Sequence, residues 1–256
     1  MPAFSVIVTT HDRANLLGRA IRSIKAQHGV SVQTIVVSDR TCPATYAVAA
    51  SELSGSDVFA QRSGEPGPAA SRNLGMTLAT GDNIVFLDDD DALSPTYLSD
   101  AGRHVDGRSV IFTDFIVVLE RLDAVGAPVA LGGERRSLSA HRIDDLYAKN
   151  FIPPACLVYP RSAVAGREFD PTLVLNEDWD FILNVKAGMP LRHVPIDGPV
   201  VYTREMADNR GRRNDHLLVP TYLQIYANRP APTHQDRLAR QAFFASAGLD
   251  APLHAF

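Results

Sequence analysis

The first ninety residues alternate between short apolar runs and helical patterns, and no other feature of the chain restricts the fold as tightly. Residues 4–8 read FSVIV, 32–37 read VQTIVV, 58–60 read VFA and 83–87 read NIVFL. Apolar, β-branched runs of this kind suit strands buried on both faces. After the first run, Leu16, Leu17, Ala20, Ile21 and Ile24 share one helical face, with Arg19, Arg22 and Lys25 off it, and His28-Gly29 ends the pattern. Residues 43–53 give a second helical pattern. Pro68 is suited to the first turn of a third, which runs to Ala79 with Gly81 as its cap. The order β-α-β-α-β-α-β predicts an α/β fold: a Rossmann-like, mostly parallel central sheet with helices on both faces.

In such a sheet ligands bind outside the carboxyl ends of the strands. The polar turns 10–13, 38–41 and 88–91 are all expected on that edge. The last holds four consecutive aspartates, Asp88 to Asp91, directly after an apolar strand. Like charges at this spacing repel, and an unpaired buried carboxylate is strongly disfavoured. Either the turn is solvated, with Asp91 capping a helix over 93–98, or a cation sits in it. In extended geometry Asp88 and Asp90 share one side and Asp89 faces away. Two carboxylates on one side make a hard oxygen site suited to Mg²⁺ or Mn²⁺. A calcium loop of the EF-hand type needs glycine at its sixth position and glutamate at its twelfth, where this chain has Leu93 and Ser99. A phosphatase with a nucleophilic aspartate and a second acid two residues on fits the spacing of Asp88 and Asp90 better.

The second half is less regular. Residues 110–119 read as a strand pair or one long strand, and 123–133 have hairpin character. Residues 150–164 form a loop leading into a strand, because Pro153-Pro154 forbids helix. Residues 176–188 read as a helix with acids in its first turn, and helices are expected near 217–226 and 236–247. The chain divides into a first half (1–100), a second half of the same domain (101–205) and a C-terminal loop and helical extension (206–256). The formal net charge of −4 gives no electrostatic footprint for nucleic acid. Two distant cysteines, Cys42 and Cys156, fit a reducing compartment. The first residues lack the charged start and long apolar core of a signal peptide, and no stretch approaches the ~20 apolar residues of a membrane span. The expected location is cytoplasmic, with peripheral contact at the inner face of a membrane left open.

Four stretches, in this order and spacing, carry a resemblance: FSVIVTTHDRANLLGRAIRSIKAQ, VQTIVVSDRT, GPAASRNLGMTLATGDNIVFLDDDDALSP and NEDWDFIL. Together they resemble family 2 glycosyltransferases of the GT-A fold, over residues 4–187. The resemblance implies an inverting, divalent-metal-dependent enzyme, with 1–100 as its nucleotide-sugar-binding half and 101–205 as its acceptor-side and catalytic half. It would move a sugar from a nucleotide-sugar donor, a UDP-sugar favoured, to a hydroxyl acceptor in glycan, glycolipid or natural-product biosynthesis. Asp88 and Asp90 match the outer positions of the D-x-D motif. The resemblance makes Asp90 the expected metal ligand and Asp88 a nucleotide contact and the less certain metal ligand, and counts Asp89 with the donor-binding residues. Asp91 matches a frequent extra acid. Asp39 matches the aspartate that reads the base; its carboxylate is an acceptor for an N–H donor. Thr10, His11, Arg13, Arg72 and Asn73 match donor-binding positions, and Asp178 matches the general base.

The departures from the pattern are informative. Thr9-Thr10-His11-Asp12-Arg13 stands where P-T-Y-N-R is common, so His11 replaces an aromatic that packs on the base. Ser38 stands in place of a usual aspartate, and Arg40 in place of glycine. Many members carry a late histidine ligand to the metal; near that place this chain has Glu205, a speculative oxygen ligand. Arg72, or an arginine among Arg204, Arg210, Arg212 and Arg213, is expected to assist the departing diphosphate. Two other readings remain: a sugar-nucleotide nucleotidyltransferase, against which the absence of a glycine-rich phosphate loop after the first strand counts, and a non-catalytic nucleotide-binding domain.

Overall fold

The computed structural model describes residues 2–123, 128–204, 215–249 and 252–256. The expected first half forms as β1 (Phe4–Thr10), α1 (Ala14–Lys25), β2 (Val32–Ser38), α2 (Pro43–Glu52), β3 (Val58–Gln61), α3 (Pro68–Leu78) and β4 (Asn83–Asp88). There follow β5 (Ala92–Leu93), α4 (Tyr97–Gly102), β6 (Val110–Thr113), β7 (Phe115–Leu122), β8 (Pro128–Arg136), β9 (Leu157–Pro160), α5 (Arg161–Val164), α6 (Glu177–Lys186), β10 (Leu191–Val194) and β11 (Pro199–Arg204). Two helices complete the described chain, α7 (Asp215–Asn228) and α8 (His234–Ser246).

The central sheet has seven strands in the order β10-β6-β9-β4-β1-β2-β3. Strands β4, β1, β2 and β3 are parallel neighbours, as are β10 and β6; β9 alone runs antiparallel to both of its partners. The mostly parallel sheet expected from the alternation is therefore present, with one reversed strand. Its side chains alternate between two apolar layers. Ile7, Ile35, Val37, Ile84 and Phe86 face the layer that holds Phe169, Trp179, Phe181 and Leu183. Val6, Val8, Val36, Val85 and Leu87 face the layer that holds Leu17, Ile21, Ile24 and Leu98. Burying each such side chain contributes about 1.5–3 kcal/mol, and this is why short unbroken apolar runs became strands rather than surface ribbon.

Residues 110–119 do not form one strand. Asp114 breaks the run, and β6 stays in the central sheet while β7 enters a second, four-stranded sheet ordered β5-β11-β7-β8. Asp114 forces the division because it is fully buried and needs its own donors: the Leu138 N–H at 2.8 Å, Arg135 Nη2 at 3.1 Å and His193 Nε2 at 2.7 Å. The hairpin character of 123–133 appears as the antiparallel β7–β8 pair, with β8 exposed throughout. A correction concerns 93–98. Ala92–Leu93 is a strand paired with β11, and the helix begins only at Tyr97, so Asp91 caps nothing.

The C-terminal helices dock behind α6. Tyr222, Tyr226, Phe243 and Phe244 pack together, and Tyr222 and Tyr226 reach the Trp179 ring. Arg240, fully buried, donates to the carbonyls of Tyr147 and Arg229 at 2.8 and 2.6 Å and stacks on Tyr226. Arg229 grips the buried Asp180 with two hydrogen bonds of 2.9 and 2.8 Å. A paired charge inside a core holds orientation when every group is satisfied, and here the oriented element is the helix that carries Asp178.

Candidate active site

The carboxyl ends of β1, β2 and β4 lie side by side, as the register Thr10↔Ser38 and Thr9↔Asp88 requires. The turns after them converge as expected. The acidic turn folds tightly, with the Asp91 N–H donating to the Asp88 carbonyl at 3.1 Å. Asp88, Asp90 and Asp91 bring carboxylate oxygens within 4.8 Å of one another. Three hard oxygen donors at this separation fit Mg²⁺ or Mn²⁺. Asp91 thus joins the cluster, an arrangement that strand alternation by itself does not give. It is buried, its Oδ1 accepts the Tyr202 N–H at 3.0 Å, and burial followed by the charges of Asp88 and Asp90 pushes its pKa well up.

Asp89 turns the other way and is buried between partners on β1 and the turn after it. It accepts from Thr10 Oγ1 at 2.6 Å and from Arg13 Nη1 at 3.1 Å. Burial raises its pKa to about 6 against the opposing pull of Arg13 and Thr10. Arg13 Nη1 also reaches Asp90 Oδ2 at 2.7 Å. Thr10, Arg13 and Asp89 therefore form the inner wall that holds the acidic turn on β1.

On the far side stands Arg72. It is almost fully buried in α3, and its guanidinium spans two acids: Nη2 to Asp88 Oδ1 at 2.9 Å and Nη1 to Glu177 Oε1 at 2.5 Å. Burial opposes its charge, but Asp88, Glu177 and Asp178 together outweigh this and raise its pKa. The D-x-D and N-E-D segments, far apart in sequence, thereby meet across one side chain. Asp178 follows Glu177 on the first turn of α6, and the residue before the helix, Asn176, is left-handed at φ 58°. Non-glycine residues held in that conformation cluster at functional sites. Asn150 Nδ2 donates to Asp178 Oδ2 at 3.2 Å, and Asn150 Oδ1 accepts the Ile152 N–H at 3.0 Å, which fixes the amide. Burial, then the neighbouring Glu177, raises the Asp178 pKa to about 7 against the pull of Arg72.

A cleft of about 530 Å³ lies beside the ends of β1 and β2, lined by His11, Asp39, Arg62, the loop 65–67, the first turn of α3 and Leu173. Asp39 Oδ1 lies 2.7 Å from His11 Nδ1, and its Oδ2 accepts the Gly67 N–H at 2.8 Å. Arg62 donates to the carbonyls of Glu65 and Gly67 at 2.8 Å and so folds the loop that forms the cleft's outer wall. Gly67 is needed there, since its φ of 158° suits few side chains. Arg40 pairs with Asp12 of the turn after β1 at 3.6 Å on the surface.

Not every expected residue reaches the cluster. Asn73 commits both ends of its amide to Phe169, accepting its N–H at 2.8 Å and donating to its carbonyl at 2.9 Å. It ties α3 to the segment before α6, and it lines a separate groove with Arg161 and Arg167. Glu205, Arg210, Arg212 and Arg213 lie outside the described residues. Arg204 is described, and its Nε stands 3.6 Å from the buried Glu120. Sequence reasoning missed Arg62, Asn150, Glu120 and the inward turn of Arg19. The one signal in the sequence was Pro153-Pro154, which marks the loop holding Asn150 as rigid.

A mostly parallel sheet with an acidic turn at the end of β4, a cleft beside β1 and β2 and an acid pair on the first turn of α6 is the arrangement of a GT-A glycosyltransferase fold. The profile described as "Glycosyl transferase family 2" matches residues 5–161, more than half of the chain, and the chain belongs to that family. It is 26% identical over 244 residues to the succinoglycan biosynthesis protein ExoO of Rhizobium meliloti (strain 1021), covering 85% of this chain and 65% of that protein. It is 28% identical over 181 residues to the GalNAc(5)-diNAcBac-PP-undecaprenol beta-1,3-glucosyltransferase of Campylobacter jejuni, covering 69% of this chain and 58% of that one. The chain thus spans about three fifths of the length of these relatives. Among solved structures, it superimposes on S. aureus TarS 1-349 in complex with UDP with a TM-score of 0.62 at 17% identity, covering 94% of this chain and 70% of that one. Mannosyltransferase PcManGT from Pyrobaculum calidifontis, in complex with GDP-Man and Mn²⁺, gives 0.59 at 18% identity, covering 99% and 77%.

Proposed function

We propose that this chain is an inverting, divalent-metal-dependent glycosyltransferase that uses a nucleoside-diphosphate sugar, a UDP-sugar favoured, and a hydroxyl acceptor on a glycan or lipid-linked carrier. The observation that carries the reading is Arg72, whose two hydrogen bonds bring Asp88 and the Glu177-Asp178 pair to one place. The named relatives, one in succinoglycan biosynthesis and one an undecaprenol-linked glucosyltransferase, support the acceptor class.

Each residue has a task. The cleft beside Asp39 takes the base. Two internal donors leave that carboxylate free lone pairs, since it offers about four, and one of them accepts a base N–H. Asp88, Asp90 and Asp91 would hold a divalent ion, which supplies charge stabilisation to the leaving diphosphate. Asp178 takes the proton of the acceptor hydroxyl as that oxygen attacks the anomeric carbon from the face opposite the diphosphate. The new C–O bond forms as the bond to phosphate oxygen breaks, its electrons leaving with the nucleoside diphosphate, and the configuration inverts. Arg72 stands beside both acids and offsets their charge throughout.

Incubating the full chain with nucleotide sugars and Mn²⁺ tests this. Release of nucleoside diphosphate, with a product of inverted anomeric configuration by NMR, is expected. Turnover of pyrophosphate instead would establish a nucleotidyltransferase. Nucleotide binding with no turnover of any donor and acceptor pair would leave a non-catalytic domain.

A further inference from the structure

Arg19 lies off the apolar face of α1 by sequence, like Arg22 and Lys25. Those two pair outward with Glu52 and Asp57. Arg19 does not. Its Nη2 donates to the main-chain carbonyl of Asp90, its Nη1 donates to Glu120 Oε2 at 2.7 Å, and its guanidinium carbon stands 3.5 Å over the centre of the Tyr202 ring. Glu120 is 1% exposed on β7, deep enough that it needs cationic partners, and Arg19 at 2.7 Å is nearer than Arg204 at 3.6 Å. Tyr202, on β11, donates its own N–H to Asp91. The second sheet therefore grips both of the last residues of the acidic turn: Asp90 by its carbonyl, through Arg19, and Asp91 by its carboxylate.

The grip has a physical purpose. Carboxylates crowded this closely repel; Arg13 and Arg72 hold side chains of the turn, whereas Arg19 holds its main chain, beside the turn's own 3.1 Å hydrogen bond. Fixing the Asp90 carbonyl fixes the following peptide plane, and with it the direction in which Asp90 and Asp91 leave the chain. A guanidinium suits the task, because its planar fork serves two acceptors at once and stacks on a ring, whereas an ammonium is a point charge. Partners of this kind, outside the ligand set, orient ligands and tune metal affinity.

We infer that Arg19, seated by Glu120 and Tyr202, is a positioning residue that shapes the acidic turn for a single divalent cation. The inference rests on the metal-dependent reading above. The experiment is a titration of Mn²⁺ alone into the full chain, with free ion read by electron paramagnetic resonance, for wild type, Arg19→Met, Arg19→Lys, Glu120→Gln and the outward control Arg22→Met. Both Arg19 variants should bind Mn²⁺ about tenfold or more weakly, and Glu120→Gln several-fold more weakly, with Arg22→Met close to wild type. In metal-free protein, amide hydrogen exchange across residues 89–92 should quicken in Arg19→Lys. If Arg19→Met fails to fold, Arg19→Lys, which keeps the charge and the aliphatic stem, carries the test. Wild-type affinity and exchange in folded Arg19→Lys would overturn the inference and leave the metal reading standing. Failure of the wild type to bind Mn²⁺ would overturn both.

Discussion

Arg72 Nη2 lies 2.9 Å from Asp88 Oδ1, and this pair joins α3 to the end of β4 from inside the protein. Because Arg72 also holds Glu177, it is the counter-charge for two acids on different elements. Removing it leaves a nearly buried Glu177 unpaired, which is the costly way to break an ion pair. Arg72→Met should lower unfolding free energy by about 3 kcal/mol in urea titrations. Arg72→Lys should recover part of the stability and little of the transfer activity, since one ammonium cannot serve both acids.

Asp178→Asn should abolish transfer while leaving donor affinity within about twofold, because the proposed base acts on the acceptor and not on the nucleotide. Donor titration by calorimetry and product assay on the same preparation check the two halves. Turnover comparable to wild type would remove Asp178 as the base.

The pH dependence follows from the same carboxylate. A base must be ionised to accept a proton, and Asp178 has its pKa raised to about 7. Below that value kcat/KM for the acceptor should fall about tenfold per pH unit. For stability the sign is opposite: a carboxyl whose folded pKa exceeds its unfolded value favours the native state when neutral, so this contribution declines as pH rises from about 4 towards 7. Asn150→Ala removes a hydrogen bond that favours the charged form. The acid limb of the profile should then move to higher pH, and Asn150→Ser should move it less.

Asp114 gives a stability prediction away from the chemistry. Burial works against its charge, but the Leu138 N–H, His193 and Ser137 outweigh burial and hold its pKa below the ordinary carboxylate range. Its stabilisation is therefore present above the unfolded value of about 4 and is lost as pH falls through the folded one. Asp114→Asn should cost about 1.5–3 kcal/mol at pH 7 in urea unfolding, and the difference should shrink towards pH 3.

The sequence determined the layered architecture of the first half because burial on both faces of a parallel strand leaves a signature no surface element shares. The runs at 4–8, 32–37 and 83–87 needed no tertiary information to be read as strands, and the acids after them fell on one edge by the rule that governs such sheets. Asp88, Asp90 and Asp178 were legible for that reason and from the family's motifs. What lay beyond reach were relations between distant residues whose local patterns say nothing. Residue 114 reads as one polar position within an apolar run, yet it divides the run between two sheets because its buried charge must find donors. Asp91 reads as a helix cap or as an extra acid of the motif, and pairing of β5 with β11 places it in the acidic cluster. Asn73 reads as a donor contact, yet the nearest backbone is Phe169. Arg19 and Arg22 look alike on a helical wheel, and only the packing of the second sheet against α1 gives one of them Glu120, Tyr202 and the Asp90 carbonyl as partners. Periodicity records which faces are buried; the partner each polar group finds there is set by the folded chain alone.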